Sequence, residues 1–365
     1  MNNNKNGMIA GLLKTALLLL ACGHPAYAEP YLAVQKGMQC SSCHSHPAGG
    51  GKRSVYGNVF AQSELAGRRI GSGDMWTGEL TKWLAVGADI RASYENVDTP
   101  NRSSTSDFDI NRGTIYLEAT IIPDILTLYV DEQVTPDEIE NREAYVRLNS
   151  KNTKWFVTAG QFYLPYGLRL QDDTAFIRSA TGINFTNSDR GVQGGYNSGA
   201  WSTIASVTDN SGGGRNGSGD QFSLVSSYTQ STWRAGVSVN VNDDDTGDRS
   251  MFGFFGGLKT GPVAWLAEID SISDDISPGV SADALAGLLE ANWTVLDKHN
   301  LKFSYEYLDP NNDVSEDHQV RYSIVWEHAP LQILQGRAGF RLYDGIPQVD
   351  AQNREEFFVE IHGFF

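Results

Sequence analysis

The chain has 365 residues, 40% of them apolar, and a formal net charge of −16 at pH 7. That length allows one large domain or two ordinary ones. Its acidity disfavours nucleic acid and other anionic partners and favours cations and basic proteins, although acidic loops also simply keep an exported protein soluble. After Ala28 no apolar run approaches the about 20 residues of a spanning helix.

The N-terminus reads as an export signal. Lys5 and Lys14 precede an apolar run from Ala16 to Ala21, and Ala26-Tyr27-Ala28 is an A-x-A cleavage site. Residues 1–28 are therefore expected to be a cleaved signal peptide, with the mature chain starting at Glu29. Without those two lysines the chain is two units more negative. A rival reading takes Leu19-Leu20-Ala21-Cys22 as a lipoprotein site with Cys22 acylated.

Residues 29–75 carry the most specific motif. Cys40-Ser41-Ser42-Cys43-His44 is C-x-x-C-H, the attachment signature of a c-type haem. Two thiols can bond the porphyrin vinyl groups, and the adjacent His44 can ligate the iron. A zinc site on Cys40, Cys43, His44 and His46 is the first alternative. It crowds four ligands into seven residues, whereas structural zinc sites pair two spaced knuckles. A redox dithiol or a disulfide is the second, and it leaves His44 unexplained. The sixth ligand stays open among Met75, His46 and Met38, with Met251 a remoter candidate. Lys52 and Arg53 follow the Gly49-Gly50-Gly51 turn and are candidates for the haem propionates.

From Trp76 to Phe365 the pattern changes to segments of about ten residues with period-2 alternation, the signature of transmembrane barrel strands. Leu84, Val86, Ala88, Ile90, Ala92 and Tyr94 alternate with Asp89, Arg91, Ser93 and Glu95. In a membrane barrel the first set faces lipid and the second the lumen. Ala144, Val146 and Leu148 around Arg147, and Phe303, Tyr305 and Tyr307 against Lys302 and Glu306, repeat it. Residues 242–247 and 309–313 read as long acidic outer loops. Gly261-Pro262, Asp297-Lys298-His299-Asn300 and Ala329-Pro330 read as short inner turns. Trp83, Trp155, Trp201, Trp233, Trp293 and Trp326 fit interfacial girdles. The chain closes on Phe357, Val359, Ile361, Gly363 and a terminal Phe365, an outer-membrane assembly signal. The expected fold is all-β, a barrel of about sixteen strands over residues 76–365 carrying a small N-terminal haem segment. Such a barrel has an open lumen.

The stretch Tyr31-Leu32-Ala33-Val34-Gln35-Lys36-Gly37-Met38-Gln39-Cys40, with Cys43-His44, Gly49-Gly50-Gly51-Lys52-Arg53 and Tyr56-Gly57, resembles the N-terminus of the fused monohaem cytochrome–porins of iron-oxidising and metal-reducing bacteria. Gly160-Gln161-Phe162 with Pro165-Tyr166-Gly167, and Asp189-Arg190-Gly191-Val192-Gln193, look similar to phosphate-selective and related porins. The resemblance implies one haem c on Cys40 and Cys43 with His44 as proximal ligand, in the bacterial outer membrane. It also implies an extracellular redox partner such as Fe(II) and a periplasmic c-type cytochrome. The expected function is electron transfer through that haem. The alternative is an anion porin with a haem-bearing plug, its constriction built from Arg147, Arg169, Arg178, Arg190, Arg337 and Arg341. A soluble cytochrome-linked enzyme is a third option, but no nucleophile–base pair supports it.

Overall fold

The computed structural model describes residues 29–365 apart from 72, 136–138, 186, 211–218, 245–246 and 278–279. Expectations about the signal peptide and Cys22 therefore lie outside the described residues. In the N-terminal segment there are two short helices, α1 (Pro30–Lys36) and α2 (Val55–Phe60). A small strand β1 (Glu79–Thr81) pairs with β2 (Leu84–Asp98). The barrel continues through β3 (Thr105–Ile122), β4 (Leu126–Val134), β5 (Ile139–Asn149), β6 (Trp155–Tyr163), β7 (Ser188–Ser198), β8 (Trp201–Thr208) and β9 (Gly219–Thr229). Its second half is β10 (Trp233–Asp244), β11 (Asp248–Thr260), β12 (Val263–Ser277), β13 (Val280–Leu296), β14 (His299–Asp309), β15 (Gln319–Leu331), β16 (Leu334–Asp344) and β17 (Glu355–Phe364). A third helix, α3 (Phe176–Thr181), lies between β6 and β7.

Strands β2 to β17 each pair antiparallel with their sequence neighbours, and β17 closes on β2 from Glu355↔Asp98 to Phe364↔Asp89. The sheet is thus a closed sixteen-strand barrel with no free edge, the arrangement that satisfies every strand's backbone in lipid. The alternation read from the sequence sorts as a membrane barrel requires. Ile90, Tyr94, Val146, Leu148, Phe303, Tyr305, Phe357 and Ile361 are exposed on the outside. Asp89, Ser93, Lys302, Glu306, Glu360 and His362 are buried in the lumen. Trp83, Trp155, Trp201, Trp233 and Trp293 are all exposed beside short turns, so they form one ring at a single rim. Trp326 is half-buried and stacks on His299 and His328 instead.

Three expected connections are corrected. β10 runs through Asn242 and Asp243 to Asp244, paired residue by residue with β9, and β11 resumes at Asp248. Residues 242–244 are strand because cross-strand pairing overrides the weak strand propensity of Asn and Asp. Ala329 and Pro330 lie inside β15, where the pairing with β16 shifts between His328 and Leu331. That irregularity is where a proline without an N–H is tolerated. The turn follows at residues 332–333. His299 and Asn300 likewise belong to β14, leaving Asp297-Lys298 as the turn.

The terminal residue joins the closure seam. Phe365 N donates to Ala88 O and Ala88 N to Phe365 O, both at 3.1 Å, and the ring meets Trp76 edge-on. Deleting Phe365 removes both bonds, each contributing about 0.5–1.5 kcal/mol. The expected outcome is a smaller heat-modifiable, membrane-inserted fraction on gels, and an unchanged fraction would count against the seam's importance.

Candidate functional site in the barrel lumen

The N-terminal segment folds inside the barrel. α1 starts at Pro30, whose missing N–H costs nothing at a helix start. It stops at Gly37, which takes a φ of 64° at the C-cap. Tyr31 and Val34, one turn apart, are buried in a cluster with Phe255, Ala264, Leu266, Ala286 and Leu288 on β11 to β13. Just before α1, Glu29 is ion-paired with Lys302 of β14 at 3.2 Å. Lys302 also faces Glu327 at 3.5 Å and Glu290 at 3.8 Å, so one lysine ties three buried carboxylates together.

A single 3-10 turn over Cys40–Ser42 shapes the motif. Cys43 N and His44 N both donate to Cys40 O, at 3.1 and 3.2 Å. Spacings of three and four residues on such a turn put Cys40, Cys43 and His44 on one side. The chain then doubles back as a small hairpin: Ser45 N donates to Lys52 O at 2.9 Å and Ser54 N to Cys43 O at 2.9 Å. Gly49, Gly50 and Gly51 form its tip, with φ of 105°, 88° and 68°. A Cβ on Gly50 would stand 2.5 Å from the Phe185 ring, and one on Gly51 2.9 Å from the Tyr129 hydroxyl. Gly50→Ala therefore combines a left-handed backbone, costing roughly 1–2 kcal/mol, with a steric conflict. It is expected to unseat the hairpin, read as new protease sensitivity between α1 and β2; full protection in the variant would refute the fit.

Cys40, Cys43 and His44 line one cavity of about 1360 Å³, part of it open to solvent. Both cysteines are free thiols. Burial first, and then the Arg53 guanidinium, lower the His44 pKa to about 4, so the imidazole is neutral. Burial pushes the Cys43 thiol up to about 11. The His44 Nδ1 is buried without a well-formed hydrogen bond, while the Gly50 and Gly51 carbonyls lie near enough to orient the ring. A neutral imidazole biased by backbone carbonyls is the state a metal-ligating histidine needs. The residues present thus fit a covalent haem: two free thiols, a neutral histidine beside them, and a cavity with room in front.

The other predicted residues separate clearly. Met38 lines the cavity, its sulfur accepting from Tyr56 at 3.5 Å. His46 is fully buried in the wall: Nε2 bonds Tyr163 O at 3.1 Å and Nδ1 accepts from Ala48 N at 3.2 Å. Both ring nitrogens are engaged, so His46 pins the hairpin and is not placed as a sixth ligand. Met75 and Met251 do not line the cavity. Lys52 also points elsewhere, to Arg53 O at 2.9 Å and Glu118 at 3.5 Å. Arg53 does line it, stacked 4.1 Å over Phe364.

The sequence reading missed the cavity's far wall. Residues 164–185 leave β6 and fold back into the lumen. Leu164, Tyr166, Leu168, Leu170, Phe176 and Ile177 are buried there. The segment is bound to strands on several sides of the barrel. Asp173 pairs Arg112 on β3 at 3.0 Å, Arg178 pairs Glu268 on β12 at 2.5 Å, and Asp172 pairs Arg321 on β15 at 2.9 Å and Arg341 on β16 at 3.0 Å. Leu168, Arg169, Gln171 and Phe185 from this segment face the cavity. Its one sequence signal is the loss of alternation over an apolar-rich stretch too long for a simple hairpin loop.

A closed sixteen-strand barrel with outward-facing aromatics, a charged lumen and an inward-folded segment is a porin-type barrel fold. No family model and no curated protein matches the chain. Solved structures do match in fold. OmpT, an outer membrane protein of Vibrio cholerae, superposes with a TM-score of 0.60 at 14% identity, over 79% of this chain and 99% of its own. An anion-selective porin from Comamonas acidovorans gives 0.64 at 10% identity, covering 77% and 99%. The outer membrane channel DcaP of Acinetobacter baumannii gives 0.58 at 12% identity, covering 79% and 99%.

Proposed function

We propose that this barrel carries one c-type haem in its lumen and passes electrons, rather than bulk solute, across the outer membrane. The observation that carries the reading is the turn that brings Cys40, Cys43 and His44 together onto one luminal cavity. Cys40 and Cys43 would anchor the group, and neutral His44 would ligate its iron. Bound there, a haem supplies one-electron redox chemistry at a potential set by axial ligation and burial. The chain's own part is enclosure: strands exclude lipid, while the docked segment and residues 164–185 obstruct the lumen. One such group does not span a band about 25 Å tall, so partners are implied on both sides. An extracellular donor or acceptor, Fe(II) by the resemblance, and a periplasmic c-type cytochrome fill those roles, with flow allowed either way.

A second reading is anion passage, with the N-terminal segment as a haem-bearing plug. The fold comparisons weigh toward it, since the matched proteins include an anion-selective porin and an outer membrane channel. Arg178, Arg337 and Arg341 are, however, tied to Glu268, Glu327, Glu360, Glu356 and Asp172 inside the lumen. Their charge is largely spent locally. The two readings part in one experiment on purified protein: a reduced-minus-oxidised spectrum and planar-bilayer conductance. A haem band with little conductance is the expected result. A colourless protein with large anion currents would overturn the conduit.

A further inference from the structure

Arg190, expected in a luminal constriction, points the other way. Asp189 is buried on the lumen side of β7, so the next residue along the strand faces out, and Arg190 is exposed there. It ends a polar row on the outer wall, formed by Glu132 of β4, Asn141 of β5, Gln161 of β6 and Arg190 of β7. Asn141 Nδ2 donates to Glu132 Oε1 at 2.9 Å, Gln161 Nε2 to Asn141 O at 2.8 Å and Arg190 Nε to Gln161 Oε1 at 3.3 Å. Among the described residues neither Glu132 nor Arg190 has an ion pair. Each member of the row lies six to eight residues from the short-turn end of its strand. At a rise of about 3.3 Å per residue and a tilt near 40°, that is roughly 15–20 Å above the short turns, within an apolar band about 25 Å tall. At the same level the rest of the wall carries Ile90, Phe254, Ile269, Tyr305, Phe340 and Phe357, all exposed. The apolar belt is thus broken over four adjacent strands. Ala144, Ala159 and Gly194 lie beside the gap and leave that wall shallow. Charged groups on a lipid-facing strand cost free energy, so lipid is a poor neighbour for this face.

We propose that the β4–β7 wall packs against a second copy of this chain instead of lipid. Glu132 and Arg190 mark opposite edges of the face, three strand spacings or about 14 Å apart, too far to meet within one barrel. A copy inserted in the same orientation brings its Arg190 to Glu132 of the first barrel, so the row complements itself. Phosphate-bearing lipid headgroups would instead meet Glu132 as a like charge. The small residues let the two walls approach closely. The contact is independent of any haem in the lumen.

The test compares wild type, Glu132→Arg, Arg190→Glu and the two changes combined, each first shown to be heat-modifiable. Masses are read by light scattering in a mild maltoside detergent. Wild type is expected to run as a complex of two or more chains. Each single reversal sets like charges face to face and is expected to weaken association by about tenfold or more. The combined variant restores opposite charges and is expected to recover most of the assembly, which no pairing within one barrel explains. A second measurement avoids detergent. A photoreactive benzoylphenylalanine replaces Val192, exposed two residues from Arg190 on the same face. In intact outer membranes it is expected to give a chain-to-chain adduct, while the same probe at Tyr305, on the far wall, is not. If wild type runs as one chain in detergent, or a reversal fails to insert, the probe at Val192 decides alone. Lipid adducts alone from Val192 overturn the proposal, and so does a combined variant that assembles no better than the single reversals.

Discussion

Replacing His44 with alanine is expected to abolish a low-spin haem spectrum and electron exchange with an external carrier, while the barrel still inserts and remains heat-modifiable. The separation follows from position. His44 belongs to a luminal hairpin, bridged to Arg53, and it takes no part in the strand pairings that close the sheet. Its pKa of about 4 keeps the imidazole neutral at physiological pH, so a ligand role needs no deprotonation. Cys40→Ala with Cys43→Ala should remove any covalently added mass in the same way. Survival of electron exchange in His44→Ala would exclude this site as the route.

The second large effect is expected at Lys302. Lys302→Met leaves Glu29, Glu290 and Glu327 buried around Arg337 alone, which sits 3.4 Å from Glu327. Removing one partner of a buried ion pair costs about 3–5 kcal/mol. The unfolding midpoint in urea should fall accordingly, and protease should reach α1, whose preceding residue is Glu29. Adding Glu290→Gln should recover part of the loss by removing one uncompensated charge. A single variant as stable as wild type would show that the cluster does not hold the segment.

The barrel was legible because lipid imposes a strict rule on every strand. Ile90 and Tyr94 faced outward, and Asp89 and Ser93 inward, as period-2 alternation requires. The motif triad was legible because its spacing is local: one 3-10 turn converts C-x-x-C-H into three side chains on one side. What stayed hidden depends on distant partners. His46 looks like a spare ligand in sequence, yet the Tyr163 carbonyl fixes it as a pin from 117 residues away. Arg169 reads as one lumen charge among many until the Tyr163 and Phe185 rings under its guanidinium are seen. Ala329-Pro330 reads as a turn because proline usually breaks strands, and only the local register shift beside it makes room.

The docked N-terminal segment also fixes an order of events. Its anchors are Tyr129 on β4, Arg147 on β5, Lys259 on β11, Lys302 on β14 and Gln332 after β15. These residues become neighbours only after the sheet has curled shut. This segment must therefore seat last. On the proposed reading, a haem would be joined to the two thiols in that interval, before the wall forms around them.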